Sequence, residues 1–231
     1  IMLQQTQVER VIEKYERFIS IFPDFQSLAD ASLKDILIAW QGLGYNRRAL
    51  MLKQAAQTIM AEYGGEIPAR VEDLVKLSGL GKTTASSILA FAFNQPVVFI
   101  ETNIRRVYIH HFFERKENIN DRDIIPLVEA TLDTSNPAVW YHALMDYGAM
   151  LKKKVTNPNR RSVHYQRQPP FENSDRQIRG AILRILLKTS SLSCDEILEI
   201  LGVNKTRCEN ILLQLKKEKL VKQRKEKYSI G

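Results

Sequence analysis

Hydrophobic positions recur at helical spacing along almost the whole chain. Val8, Val11, Ile12, Tyr15, Phe18 and Ile19 fall three or four apart and stop at Phe22-Pro23, which predicts a core-facing amphipathic helix. Ser32 stands where it can cap a helix over Leu33–Trp40. A longer helix is predicted from Arg47 to Tyr63, stopped by Gly64-Gly65 and followed by Pro68. Further helices fit Val71–Lys76, Thr84–Ala90, Glu101–Phe112, Asp123–Asp133 and Ala138–Lys152. Strand alternation is absent before the last dozen residues, so the fold class is mainly α. Around Asn157–Phe171 the composition shifts to Asn, Pro, Arg, Gln and Ser, which marks a linker. Beyond it, Ser174–Lys188 and Cys194–Leu201 read as helices. Gly202 reads as a turn, Asn204 as the cap of Lys205–Lys219, and residues 220–230 as a small basic hairpin.

Leu77-Ser78-Gly79-Leu80-Gly81-Lys82-Thr83-Thr84-Ala85 joins two of these helices and reads as helix, tight turn, helix. The two glycines let the backbone take conformations that a Cβ would oppose. The turn delivers unpaired N–H groups at the start of the second helix, where the macrodipole favours an anion such as a nucleic-acid phosphate. Gly81-Lys82-Thr83 has the ending of a phosphate-binding P-loop, but Lys76 occupies the place of that motif's first glycine and a helix, not a strand, precedes it. An ordinary helix–helix connection, with glycines that only cap and turn, is the competing reading of these residues taken alone.

Charge adds a direction. Of the net +8, residues 151–231 hold 19 Lys and Arg against 8 Asp and Glu, whereas residues 1–150 hold 15 against 18. Such a basic tail suits a polyanion partner. The 231 residues with 44% apolar content suffice for one large or two modest cores. No stretch approaches a membrane span and no signal-peptide pattern opens the chain, so a cytoplasmic, nucleoid-associated protein without membrane contact is expected. Cys194 and Cys208 have no histidine at metal-ligand spacing, so no metal site is expected and both read as idle or buried thiols.

Five stretches occur in order: Met2-Leu3-Gln4-Gln5-Thr6-Gln7-Val8, Trp40-Gln41-Gly42-Leu43-Gly44-Tyr45, Gly79-Leu80-Gly81 with Thr84-Ala85, Asn103-Ile104-Arg105-Arg106-Val107 and Met145-Asp146-Tyr147-Gly148-Ala149-Met150. With their spacing, residues 1–151 resemble the helix-hairpin-helix DNA glycosylases, and the first stretch resembles the adenine glycosylase (MutY) branch in particular. The resemblance implies a two-lobed helical fold with a catalytic set of Glu101, Asn103 and Thr83. It implies DNA contacts from Gln4, Gln5, Thr6, Leu43, Tyr45, Gly79, Gly81, Lys82 and Thr84. Gln5, Leu43 and Tyr45 match positions that wedge into the duplex when the target base is flipped out. The hairpin at Gly79 and Gly81 would hold a phosphate through main-chain N–H groups, with a monovalent cation possible on its carbonyls. Leu43 and Tyr45 also suit a core, and Gln5 an exposed helix position.

Four departures from the family pattern shape the expectation. The general acid is a glutamate immediately before the residue matching Ile1, so the chain is expected to be a truncated form lacking the first helix. The catalytic aspartate is replaced by Glu101, which keeps the charge and adds a methylene. Thr83 stands where strand-cleaving members carry a lysine, and a hydroxyl cannot form a Schiff base. Lys152-Lys153-Lys154-Val155-Thr156-Asn157 stands where four cysteines usually begin to hold an iron–sulfur cluster, so a clusterless member is expected, with no cofactor. The tail resembles a winged helix, used for DNA or for protein contacts.

The expected organisation is therefore a glycosylase domain over residues 1–156, a linker over 157–172 and a winged-helix-like domain over 173–231. The expected function is a monomeric, monofunctional glycosylase that excises adenine mispaired with guanine or 8-oxoguanine from double-stranded DNA. The alternative is a damaged-DNA-binding protein without turnover.

Overall fold

A computed structural model describes all of residues 1–231 and divides them into two compact units. The first comprises residues 1–67, 77–79 and 169–231, and the second residues 68–76 and 80–168. Each has its own hydrophobic core.

In the first unit, α1 (Val8–Ile21), α2 (Phe25–Asp30), α3 (Leu33–Ala39) and α4 (Arg47–Glu62) follow one another. Ser32 caps α3 as expected, accepting from Asp35 N at 3.1 Å. Asp24 and Ser27 add a reciprocal capping box to α2. The expectation that α1 turns its whole apolar pattern inward needs correction. Val11 and Phe18 are buried, but Val8, Ile12, Tyr15 and Ile19 are exposed. Two apolar stripes run along this helix, and its packing covers the one that leads into Phe22 and the edge-on Trp40 ring.

The tail belongs to this same unit. It contributes α10 (Asp175–Lys188), β1 (Leu192–Ser193), α11 (Cys194–Leu201), α12 (Lys205–Lys217), β2 (Val221–Arg224) and β3 (Lys227–Ile230). Ser174, Ser193 and Asn204 cap the three helices, and Gly202, at φ +61°, ends α11. The strands form an antiparallel sheet in the order β1-β3-β2, with Lys222 opposite Ser229 and Arg224 opposite Lys227. This order is consistent with the winged-helix expectation, although the two-residue β1 left no readable alternation. Ile178, Ile182, Leu186, Ile211 and Leu215 lie in one core with Phe18, Ile36 and Trp40. The tail thus shares a core with the first helices.

The second unit holds α5 (Val71–Leu74), α6 (Lys82–Phe93), α7 (Thr102–Phe112), α8 (Asp121–Thr131) and α9 (Pro137–Lys154). Its core gathers Phe99, Ile104, Tyr108, Ile109, Ile119, Ile124, Val128 and Tyr141. Residues 157–163, expected as linker, are packed here. Pro158–Arg161 form a 3₁₀ turn with Pro158 and Asn159 buried, and Ile119 pairs with Ser162 in a short parallel bridge. Asn159 Nδ2 donates to Thr102 O at 2.8 Å, and Arg161 donates to the carbonyls of Ile109, Phe113 and Glu114. Polar composition marks a loop equally well when its side chains bind backbone at close quarters as when they meet water.

Candidate functional site

In the first unit the site is assembled around Arg48, in the first turn of α4 and 8% exposed. Nη1 donates to the carbonyls of Ile1 and Met2 at 2.9 Å each and of Gln4 at 2.5 Å. Nη2 donates to Thr6 Oγ1 at 3.0 Å and to the carbonyls of Leu43 and Gly44 at 3.3 Å each. The guanidinium carbon lies 5.4 Å from the ring centroids of both Trp40 and Tyr45. One cation therefore ties the Met2–Thr6 segment to the Leu43–Tyr45 turn. The backbone is left-handed at Gln5 (φ +56°) and Tyr45 (φ +47°), a conformation that costs a non-glycine residue about 1 kcal/mol or more. Both side chains stand exposed. Arg176, at the start of α10, reaches the Tyr45 hydroxyl at 3.4 Å.

Sequence reasoning missed Arg48. A signal was present, because a cation in the first turn of a helix opposes the macrodipole and needs other partners. Leu43 requires a correction. Its side chain is 2% exposed and sits in the core, so only its carbonyl takes part in this assembly and it is no wedge.

Gln4 meets the hairpin, its Nε2 donating to Gly79 O at 3.2 Å. Gly79 has φ +82°, and a Cβ there would lie 2.9 Å from Met51 Cβ, so this glycine answers both to conformation and to space. Gly81 differs. Its φ is −82° and a Cβ would meet nothing within 4 Å. The fold itself makes no demand for glycine at 81. It is the N-cap of α6 with no side-chain cap, so the leading N–H groups of Lys82 and Thr83 begin the helix without capping. Lys82 and Thr83 are exposed there. No hydrogen bond joins Thr83 to Glu101, and its carbonyl accepts from Ser87 Oγ at 2.8 Å.

Glu101 is the N-cap of α7, not its first helical residue. Its Oε1 accepts from the N–H groups of Asn103 and of Ile104, the latter at 2.9 Å, while Oε2 makes no hydrogen bond or ion pair. Burial pushes the Glu101 carboxyl above the ordinary glutamate value, and the two N–H donors with Arg106 and Arg105 oppose the shift. Asn103 is fixed in turn by Arg106, 3% exposed, whose Nη1 donates to Asn103 Oδ1 at 2.5 Å and Gly148 O at 2.6 Å. Arg106 Nε donates to Asn157 Oδ1 at 3.1 Å. A Cβ at Gly148 would meet the Asn103 carbonyl oxygen and lie 2.8 Å from Asn103 Cβ, which explains glycine inside α9. Arg106, Asn157 and Gly148 carry this site without having been predicted in it. The two cysteines are remote from such chemistry: Cys208 is buried, and burial pushes its thiol up to about 11.

Residues 1–125 match the HhH-GPD superfamily of base excision DNA repair proteins. The chain belongs to that superfamily. A protein named adenine DNA glycosylase from Buchnera aphidicola subsp. Baizongia pistaciae is 39% identical over 164 residues, covering 68% of this chain and 45% of its own length. Another of that name from Mycolicibacterium smegmatis is 31% identical over 203 residues, covering 80% of this chain and 69% of its own. The chain thus spans less than half of the Buchnera protein. Among solved structures, a thermostable thymine-DNA glycosylase superposes with a TM-score of 0.62 at 24% identity, covering 68% of this chain and 74% of its own. A trapped endonuclease III–DNA covalent intermediate superposes with a TM-score of 0.58 at 19% identity, covering 64% and 70%. These two share the superfamily fold with the chain.

Proposed function

We propose that the protein is a monofunctional adenine DNA glycosylase of base excision repair, acting on adenine paired with guanine or 8-oxoguanine in duplex DNA. The observation that carries the reading is the Glu101 carboxylate. It is held at one oxygen by the start of α7 and leaves the other oxygen without a partner in the chain. The glycosylase relatives supply the substrate class.

In the reaction the N-glycosidic bond breaks and its electron pair leaves with adenine, which takes a proton from the glutamate that the resemblance places just before Ile1. The sugar becomes oxocarbenium-like, and Glu101 Oε2 supplies a preorganised negative charge to it. Water adds at C1′ and loses a proton. Thr83 offers no amine for a Schiff base, so the strand stays intact. Gln5 and Tyr45, held in left-handed backbone by the Arg48 assembly, fill the space that the extruded base vacates. The open start of α6 at Gly81 takes a phosphate, and a monovalent cation on the hairpin carbonyls would share Gly79 O with Gln4.

Single-turnover assays of the intact protein on adenine mispairs test this reading. Excision should leave an abasic strand that breaks only in alkali, and Glu101→Gln should lower the rate by about 10² or more with little loss of binding. A second reading, a damaged-DNA binder without turnover, is favoured by glutamate standing where the family has aspartate, since a displacement of about 1 Å can cost roughly 10²-fold. Tight binding of mispaired duplexes with no excision from any of them would establish that binder instead.

A further inference from the structure

Residues 216–227 hold seven Lys and Arg against two Glu. The fold brings them together at the C-terminal end of α12, the turn after it, the edge strand β2 and the tip of the β2–β3 hairpin. Elsewhere in the tail several cations are paired, and the exposed, unpaired Arg184 and Lys188 stand apart on α10. Arg207 pairs with Asp175 at 2.7 Å, Arg179 with Glu218 at 2.5 Å and Lys205 with Asp195 at 3.6 Å. The side chains of Lys217, Lys219, Lys222, Arg224 and Lys225 are exposed and make no hydrogen bond or ion pair, and that of Lys216 meets only the neutral Gln223 at 3.0 Å. Glu218, the acidic residue in their midst, is already neutralised by Arg179.

Two of the free cations sit where side chains are disfavoured. Lys219, in the turn just past α12, has φ +60°, and Lys225, at the hairpin tip, has φ +53°. Glycine or asparagine relieves such turns, so lysine there costs of order 1 kcal/mol in backbone strain. Lys222 and Arg224 lie two residues apart on one strand and project to the same side, roughly 7 Å from each other. Lysine on an edge strand also guards against aberrant pairing, but that role does not reach Lys217 and Lys219, which lie outside the strand. The outward line of α12 itself, with Glu209, Asn210 and an exposed Leu213, is neutral to acidic and unsuited to a polyanion.

The geometry points to a second DNA-contacting surface on the tail. The six cations from Lys216 to Lys225 bind the phosphate backbone of duplex DNA without reading bases, alongside the wedge segment that shares their unit. The choice of DNA over other polyanions rests on the glycosylase reading, and the surface rests on the free cations.

The test is binding of the intact protein to an undamaged duplex, followed by fluorescence anisotropy as a function of salt. Replacing Lys222, Arg224 and Lys225 together by Ala should weaken binding about tenfold and reduce the slope of log affinity against log salt by roughly two to three, at about 0.9 for each phosphate that the protein ceases to neutralise. Lys217→Ala with Lys219→Ala should act in the same direction by a slope of roughly two. Lys222→Arg with Lys225→Arg should keep the wild-type slope, and Lys222→Glu alone should weaken binding further than Lys222→Ala. All of these side chains are exposed, so melting temperatures should be unchanged, and excision at saturating protein should match wild type. Superimposable salt plots for wild type and both Ala variants would overturn the inference and leave the patch to an acidic protein surface. Absence of excision by wild type, with the slopes still different, would sink the glycosylase reading and leave this surface standing.

Discussion

Glu101 shows how much one side chain's setting decides. As an N-cap it points a carboxylate at two backbone donors, and its raised pKa puts the loss of the ionised form within reach of mild acid. Because only the anion stabilises an oxocarbenium-like sugar, the acid limb of single-turnover excision should lie above the ordinary glutamate value of 4.5. Arg106→Met removes a cation that favours the anion, so the limb should move to still higher pH, and a limb that moved down or stayed would contradict this assignment. The linkage to stability has its own sign. A carboxyl whose folded pKa exceeds the unfolded one contributes stability at low pH that is lost as pH rises through the folded value. Gly81 makes the complementary case. Its φ is ordinary and its Cβ position empty, so Gly81→Ala should change the melting temperature little yet weaken duplex binding by about tenfold, roughly 1.4 kcal/mol. Equal losses of stability and binding would show that glycine at 81 serves the fold.

At the level of elements, the Arg48 assembly in the first unit and the Glu101 assembly in the second are each built by the end of a helix and not by its face. The start of α4 supplies Arg48 to carbonyls of two turns, and the start of α7 supplies N–H groups to Glu101. Buried hydrogen-bonded charges of this kind are costly to break, because their partners remain desolvated. Arg48→Met keeps much of the side-chain volume and removes every donor. It should lower stability by about 2–4 kcal/mol and should cut excision more than it cuts binding of undamaged duplex, measured by denaturant melts and single-turnover rates. An effect on stability alone would reduce Arg48 to a structural brace. The polar clasp of Asn157, Asn159 and Arg161 does comparable work on α7, gripping its first carbonyl and the chain beyond its last turn.

For the whole molecule, the segment that resemblance associates with an iron–sulfur cluster is here occupied by a hydrogen-bonded clasp, and the chain's two cysteines cannot supply four thiolates. Purified protein should therefore be colourless and free of stoichiometric iron. Absorbance near roughly 400 nm with about four irons per chain would refute the clusterless proposal. The tail shares a core with α1 and α3, so its basic surface and the exposed Gln5 and Tyr45 are parts of one folding unit.

Much was legible from residues alone because it depends on local physics. Helical periodicity, the caps at Ser32 and Asn204, the stop at Gly202 and the left-handed need at Gly79 are all decided within a few residues of the chain. The order and spacing of the five motif stretches carried the family, and the distribution of Lys and Arg along the chain carried the basic tail. What only the tertiary structure decided are relations between residues far apart. It showed that Leu43 is core, that one stripe of α1 is covered and the other open, and that residues 157–163 are packed. It also showed that Arg48 gathers carbonyls more than 40 positions away, and that Arg106 joins Asn103 to Gly148 and Asn157. A sequence displays the hydrogen-bonding capacity of an arginine or an asparagine but not the partners. Those are chosen by which backbone groups the packing of helices leaves unpaired, and burial then makes each such pairing obligatory.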